Sequence, residues 1–283
     1  MNNNRKTYIL SLDSQCNQRC LICMKKMAID NKRPLTEESV AKEIKSAKKR
    51  GFGKIDFYGG EPLTYPFLAK SIKLANGLSL QCFLATNATK FSSRNFARAF
   101  LADIKIKEMR TTLHASSPAL HDRITRVRGS FKKTIRGIRN ILDLKRTNIS
   151  VNVVINSLNY TGLDKMASFI LGLGVKNITF SGLVLEGELT RHPGLLVDLA
   201  LIQPHLNRAM TKCLASGAGA KIIKLPVCIL NQKLRRPLNC INEINHNFNK
   251  LAACPDCRYN GFCPGVPQYQ MKAFGTPSFL DYV

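Results

Sequence analysis

The 283-residue sequence has no tryptophan, and aromatic residues make up only 7% of it. It has no apolar run approaching the roughly 20 residues that a membrane-spanning helix requires. It also lacks the apolar core and small-residue cleavage site of a secretory signal, because Asp13 interrupts the first apolar run. These absences predict a cytoplasmic protein with no membrane partner.

Acidic residues are also scarce: 18 Asp and Glu stand against 43 Lys and Arg, which gives a formal net charge of +25. A basic balance of this kind favours anionic partners, and RNA is among them. The alternative is a solvated basic surface that binds no such partner, and the composition agrees with it equally well.

Short β-rich runs alternate with longer helical patterns along most of the sequence, which predicts a parallel sheet with right-handed crossovers. The predicted strands cover residues 7–12, 54–58, 81–86, 108–114, 150–155 and 177–181. Because a closed barrel needs about eight such units, six predict a partial (β/α)6 parallel barrel.

The pattern changes after a last predicted helix at residues 195–214, where Pro, Gly, Asn and Cys become frequent and periodicity fades. We therefore expect an α/β protein of two domains, a partial barrel over residues 1–214 and a small metal-organised domain over residues 215–283.

Ten cysteines in a chain without a secretion signal indicate metal or redox chemistry. Cys16, Cys20 and Cys23 follow the first predicted strand directly, and thiolates at this spacing can wrap an iron–sulfur cluster. Three ligands leave one iron of a four-iron cluster open for a cofactor or substrate. A zinc knuckle is the alternative, although no nearby His or Cys supplies the fourth ligand that zinc usually takes.

This C-x3-C-x2-C pattern, followed after the second predicted strand by Tyr-Gly-Gly-Glu-Pro at residues 58–62, resembles the signature of the radical S-adenosylmethionine (SAM) superfamily. The resemblance implies a [4Fe–4S] cluster on the three cysteines and SAM on its open iron. It also implies that the segment Gly59, Gly60, Glu61 and Pro62 binds the methionine amino group of SAM. Two glycines permit close backbone approach, and a carboxylate suits an ammonium group.

Further motifs that match the superfamily lie at the ends of the third and fourth predicted strands. The active sites of β/α barrels lie at this end of the strands. Thr86 and Asn87 match a cofactor-proximal element of the superfamily, and Ser116 and Arg128 match positions that bind the ribose or carboxylate of SAM. His114, by contrast, has the character of a packed histidine.

The C-terminal cysteines Cys254, Cys257 and Cys263 resemble the auxiliary-cluster tails called Twitch or SPASM domains. The resemblance implies a second [4Fe–4S] cluster, whose fourth ligand we assign to Cys228, with Cys240 as the alternative. A zinc site on the same cysteines is the other interpretation, because spacing alone separates iron from zinc poorly. The remaining Cys82 and Cys213 have the pattern of buried bystanders.

The resemblance implies an oxidoreductase that cleaves SAM reductively to a 5′-deoxyadenosyl radical, which removes a hydrogen atom from the substrate. The resemblance to relatives with such tails favours the hypothesis that the substrate is a peptide or protein and that the reaction is its oxidative maturation. Flavodoxin or ferredoxin is the expected reductant. The alternatives are RNA modification and dehydrogenation of a small molecule, and a non-catalytic metal scaffold is a further one. The first predicted strand begins a few residues into the sequence, so no leader-binding domain is expected before it.

Overall fold

The computed structural model describes residues 6–12, 15–24, 35–235, 240–241 and 247–279. Its main sheet has eight strands whose spatial order is their chain order. They are β1 (Thr7–Ser11), β2 (Lys54–Tyr58), β3 (Gln81–Ala85), β4 (Glu108–Thr112), β5 (Asn148–Val154), β6 (Asn177–Ser181), β7 (Gly219–Ile223) and β8 (Cys240–Ile241). The pairings from β1 to β4 and from β5 to β8 are parallel. The predicted α/β class, a partial parallel barrel, is confirmed.

Helices connect the strands, as crossovers between parallel neighbours require. They are α1 (Glu37–Lys49), α2 (Leu68–Gly77), α3 (Arg94–Ala102), α4 (Pro118–Thr125), α5 (Ser130–Leu144), α6 (Leu163–Gly172) and α7 (Leu199–Ala215). A two-stranded antiparallel pair, β9 (Phe248–Asn249) with β10 (Val266–Pro267), precedes a short helix α8 (Gln268–Phe274). None of the helices in the described ranges is long and apolar enough to cross a bilayer.

Successive side chains of a strand point to opposite faces of the sheet. Ile55 and Phe57 of β2 are fully buried, and Asp56 lies between them on the opposite face. There Asp56 forms an ion pair with Arg110 of β4, which satisfies the charge of its nearly buried carboxylate. The helix-facing side of this part of the sheet is therefore apolar, and its other side carries polar groups.

One local expectation was wrong. The residues after Thr36 contain no Glu or Gln at the third helical position, so the sequence predicts no full capping box for α1. The structure nevertheless has one: Ser39 N–H donates to the Thr36 hydroxyl oxygen at 3.1 Å, and the Thr36 N–H donates to the Ser39 hydroxyl oxygen at 3.0 Å. A serine hydroxyl thus replaces the usual carboxylate as the returning acceptor.

The chain divides into two compact units. The first comprises residues 1–20, 25–112 and 125–150, and the second comprises residues 21–24, 113–124 and 151–283. Strand β7 was not predicted from the sequence, yet it pairs with β6 over five residues and continues the sheet beyond residue 214. The boundary between residues 214 and 215 as the limit of a separate appendage stays a prediction.

Candidate active site

Within the first unit, Cys16 and Cys20 lie on the loop that leaves the carboxyl end of β1. The Cys16 sulfur accepts the Gln18 N–H at 3.3 Å, and the Arg19 N–H donates to the Thr125 carbonyl at 3.0 Å. Cys16 is exposed and Cys20 is half-buried, so both thiols remain accessible. An accessible thiol whose sulfur already accepts a backbone N–H is suited to bind a cluster, because such hydrogen bonds tune iron–sulfur sites.

Cys23 belongs to the second unit, where the segment after β6 holds its backbone. The Glu188 N–H donates to the Cys23 carbonyl at 2.8 Å. Gly187 has a φ of +60°, and a Cβ placed there would lie 2.4 Å from the Met24 carbonyl oxygen and 2.6 Å from that of Cys23. This close approach needs glycine both for its conformation and for its missing side chain. Sequence reasoning missed the contact, because nothing in the pattern links residue 187 to residue 23.

Replacing Gly187 with alanine is therefore expected to displace the backbone that carries Cys23. Purified and reconstituted under anaerobic conditions, Gly187→Ala should lose most of the iron bound by the first cysteine trio and at least about tenfold in SAM cleavage. Gly194→Ala is the matched control, because a Cβ there meets nothing within 4 Å. Full iron content in Gly187→Ala would contradict the positioning role.

The Gly-Gly-Glu-Pro segment follows β2, and its two glycines are half-exposed while Glu61 is 1% exposed. The Glu61 carboxylate points inward. Its Oε1 accepts the Leu63 N–H at 3.1 Å and the Thr86 hydroxyl at 2.8 Å, and its Oε2 accepts the Asn87 N–H at 2.6 Å. Burial raises the pKa of Glu61, and these hydrogen bonds oppose that rise. Glu61 thus joins the segment after β2 to the segment after β3.

The predicted contact of Glu61 with the amino group of SAM stays a prediction. Both of its oxygens already accept hydrogen bonds from the protein. The backbone of Gly59 and Gly60 is the part of this segment that remains half-exposed to a ligand. Sequence reasoning found the residue from its motif, but its inward orientation depends on Thr86 and Asn87, which lie 25 and 26 positions away.

Asn87 lies beside the cysteine loop in the first unit. Its Nδ2 donates to Asn17 Oδ1 at 2.6 Å and lies 4.0 Å from the Cys16 sulfur. On the other side, the Thr134 hydroxyl of α5 donates to the Asn87 carbonyl at 3.1 Å. The structure therefore brings together the first cysteines, the glycine–glutamate segment and the Thr86–Asn87 element, which are far apart in sequence.

Ser116 and Arg128 have a less defined environment. Ser116 is half-buried after β4 in the second unit, and Arg128 is exposed just before α5 in the first. Their predicted roles in binding SAM stay predictions. His114 is buried, and burial together with the neighbouring His121 lowers its pKa to about 3, so it is neutral at physiological pH. A packed neutral histidine agrees with the interpretation made from the sequence.

The second cysteine group lies in the second unit and shows the same type of contact. The Cys263 sulfur accepts the Val227 N–H at 3.3 Å and the Gly265 N–H at 3.4 Å. The Cys254 sulfur accepts the Leu251 N–H at 3.2 Å. Backbone N–H groups thus already point at two of the predicted ligands.

Cys228 lies near the same sulfurs. Burial, and to a smaller extent the proximity of Cys263 and Cys254, raises the pKa of the Cys228 thiol to about 12. Cys257 is half-buried close to Cys254 in sequence, and its N–H donates to the Cys254 carbonyl at 3.1 Å. Cys240, the alternative ligand, lies in β8.

In the ranges that the structure describes, no three His, Cys, Asp or Glu side chains are arranged to hold a single metal ion. Both cysteine trios have the thiol donor set that iron–sulfur clusters take. Cys82 and Cys213, by contrast, are buried, and burial raises the pKa of the first to about 12 and of the second to about 11. They have the surroundings of inert structural cysteines.

The chain is similar to curated sequences over part of its length. The chain is 29% identical over 175 residues to a probable GTP 3',8-cyclase of Methanococcus aeolicus, which covers 60% of this chain and 57% of that protein. It is 27% identical over 162 residues to an S-adenosylmethionine-dependent nucleotide dehydratase of Lacinutrix mariniflava, covering 55% and 33%. The chain thus spans at most a little over half the length of these curated relatives.

Solved structures show the same fold at low sequence identity. Streptococcus suis SuiB has a TM-score of 0.60 at 16% identity, with 76% of this chain and 48% of SuiB covered. The enzyme anSMEcpe with bound AdoMet has a TM-score of 0.62 at 16% identity, with 77% and 64% covered. The profile of the radical SAM superfamily matches residues 11–170, more than half of the sequence. The chain therefore belongs to the radical SAM superfamily.

Proposed function

We propose that this radical SAM enzyme oxidises a peptide or protein substrate with the help of a second iron–sulfur cluster. Membership of the superfamily implies a [4Fe–4S] cluster and SAM, which together supply the radical that removes hydrogen from the substrate. The second cluster and the peptide substrate go beyond that assignment. The observation that supports the second cluster is the pair of backbone N–H groups directed at the Cys263 sulfur, with the Cys228 thiol nearby. The peptide substrate is supported by the structural neighbours solved with bound peptides.

The chain contributes positioning rather than redox chemistry to the first step. Cys16, Cys20 and Cys23 would hold the cluster, and Glu61 fixes the glycine-rich segment against Asn87. Asn87 in turn contacts Asn17 inside the cysteine loop. This continuous set of hydrogen bonds would keep the cofactor's surroundings rigid, which reaction at an unactivated C–H bond requires.

The second cluster would be held by Cys228, Cys254, Cys257 and Cys263. In an oxidation, the substrate would lose one hydrogen atom to the radical, and then one electron to the auxiliary cluster and one proton to solvent. The sum is a two-electron oxidation of the substrate. Named structural neighbours offer a parallel, because SuiB has been solved bound to the precursor peptide SuiA and anSMEcpe bound to the Kp18Cys peptide.

Replacing Cys228 with alanine tests the second cluster. After anaerobic reconstitution we expect iron to fall from about eight to about four per chain, since one four-iron cluster is lost. SAM cleavage without substrate should persist, because the first cysteine trio is unchanged. Cys213→Ala is the matched control, because Cys213 is a fully buried thiol that is assigned to neither cluster.

Other outcomes of this experiment separate the alternatives. Iron retained in Cys228→Ala but lost in Cys240→Ala would transfer the fourth ligand to Cys240. Zinc in place of the second set of irons would contradict the oxidative role of the tail.

The peptide assignment is tested separately by incubating the enzyme with SAM, reduced flavodoxin or ferredoxin, and peptides encoded beside the gene. A product lighter by two hydrogen atoms is expected, together with stoichiometric 5′-deoxyadenosine.

A nucleotide substrate is the second candidate. It is favoured by sequence relatives, whose names include GTP 3',8-cyclase and nucleotide dehydratase. Turnover of nucleoside triphosphates by the wild-type enzyme, with no turnover of any peptide, would favour this candidate over the peptide proposal.

A further inference from the structure

The outer surface of α3 and α5 in the first unit is strongly cationic. Seven exposed cations lie on these helices and on the turn before α3, and we call them the cationic face: Lys90, Arg94, Arg98, Lys132, Lys133, Arg136 and Arg139. The same elements carry a single carboxylate, that of Asp143. Within the described residues, no carboxylate lies within salt-bridge distance of any of the seven.

Packing makes this a single surface. Helices α3 and α5 contact each other and the intervening turn, and the Asn140 side chain of α5 donates to the Phe91 carbonyl at 2.8 Å. Phe96 and Phe100 of α3 stack on each other with ring centroids 5.6 Å apart, and both are half-buried. On α5, the exposed Lys132, Arg136 and Arg139 follow an i, i+4, i+7 spacing, so they form one stripe about 10 Å long.

A cavity of about 550 Å³ extends the face at the carboxyl ends of the two helices. Its lining includes the exposed cations Lys105, Lys145 and Arg146. The acidic residue in the lining, Asp103, is already paired with Lys73 at 3.0 Å. The cavity therefore adds positive charge that is not neutralised within its own walls.

Helix α1 shows that this charge pattern is not general. It also carries four lysines, Lys42, Lys45, Lys48 and Lys49, but the same helix carries three glutamates as well. One of these, Glu37, is paired with Lys70 at 3.3 Å. Helix α1 thus carries a net charge of only +1, whereas α3, α5 and the turn before α3 together carry seven cations and one carboxylate, that of Asp143.

We propose that the cationic face binds the phosphate backbone of single-stranded RNA. Four of the seven cations are arginines, whose planar guanidinium groups bind phosphate bidentately. The large apolar side chains exposed in the described ranges are Ile9, Leu185, Leu201 and Phe274, and none belongs to this face. A protein partner would require an apolar centre to its interface, whereas nucleic-acid interfaces are polar and positive.

The arrangement also favours a single strand over duplex DNA. The bases of a duplex are already stacked on one another, whereas the bases of a single strand can stack on aromatic side chains. A broad positive surface with half-buried aromatic rings therefore suits the flexible sugar–phosphate backbone of a single strand. This inference goes beyond the proposed peptide chemistry and uses none of the residues assigned to SAM or to iron.

The test measures binding of the reconstituted enzyme to a labelled single-stranded RNA of mixed sequence by fluorescence anisotropy, without SAM turnover. One variant replaces Arg94, Arg98, Arg136 and Arg139 with alanine, and the matched control replaces the four lysines of α1. The first should lose about tenfold or more in affinity, and its salt slope should fall by about 2 to 3, since each lost phosphate contact contributes about 0.7. The control should bind like the wild type.

Equal loss in both variants would overturn the inference, because it would show attraction by net charge alone. So would binding of polyglutamate as tight as binding of RNA, which would show that the face attracts any polyanion. Reductive SAM cleavage, measured in both variants, should stay at the wild-type rate. A failed RNA result with intact cleavage leaves the proposed enzymatic function standing, and failure to turn over peptides leaves the RNA result standing.

Discussion

Replacing Cys16, Cys20 and Cys23 together with alanine is expected to abolish the formation of 5′-deoxyadenosine from SAM under reducing conditions. The three thiols would be the protein ligands of the cluster that SAM joins, and no other cysteine lies on that loop. Iron should fall from about eight to about four per chain if the C-terminal group holds its own cluster. The measurements are iron and sulfide content, with chromatographic detection of 5′-deoxyadenosine.

A control distinguishes lost ligands from lost folding. Cys82→Ala removes a buried thiol of β3 and should leave iron content and SAM cleavage unchanged, apart from a modest loss of stability. Iron falling to none in the triple variant, from a starting value of about four, would show that the C-terminal cysteines hold no iron–sulfur cluster. Residual 5′-deoxyadenosine in the triple variant would refute the assignment of the cluster to this loop.

Replacing Gly137 with alanine should cost the protein most of its activity through a residue that touches no cofactor. A Cβ at this position of α5 would lie 2.1 Å from the Ala88 carbonyl oxygen and 3.1 Å from its carbonyl carbon. Backbone cannot yield as a side chain can, so we expect the free energy of unfolding to fall by about 3 kcal/mol, at the upper end of typical overpacking. The loop carrying Asn87 should shift with Ala88, and SAM cleavage should fall at least about tenfold.

Gly77→Ala in α2 is the matched control, because it is also a helical glycine of the first unit and a Cβ there meets nothing within 4 Å. It should be neutral or stabilise the protein by up to about 1 kcal/mol, since alanine favours the helix. Urea unfolding of both variants and of the wild type provides the comparison. Wild-type stability and activity in Gly137→Ala would show that α5 can move away from the loop without consequence.

Much of the fold could be predicted because its signals are local. The strand at Lys54–Tyr58 has an alternating apolar face, and the predicted and observed bounds coincide. The strand at Gly219–Ile223 escaped prediction because its first residues, Gly, Ala and Lys, have weak strand propensity. Its pairing with β6 compensates for that weakness, and pairing is a tertiary effect.

The site divides in the same way. The motifs identified Glu61 and Asn87, because their neighbours in sequence suffice to recognise them. Their hydrogen bond to each other, and the inward direction of the Glu61 carboxylate, arise from the approach of two segments across the sheet. The contact of Gly187 with Cys23 and Met24 could not be predicted from the sequence for the same reason, since it joins residues more than 160 positions apart.

Helix α5 serves two surfaces whose residues alternate along one sequence. Its inner face holds Gly137 against Ala88 and Thr134 against Asn87, and its outer face presents Arg136 and Arg139. A side chain added at position 137 is thus expected to disturb the cofactor loop, whereas substitutions at positions 136 and 139 are expected to change only the outer surface. The charge of this surface can therefore be redesigned independently of the contacts that hold the cofactor loop.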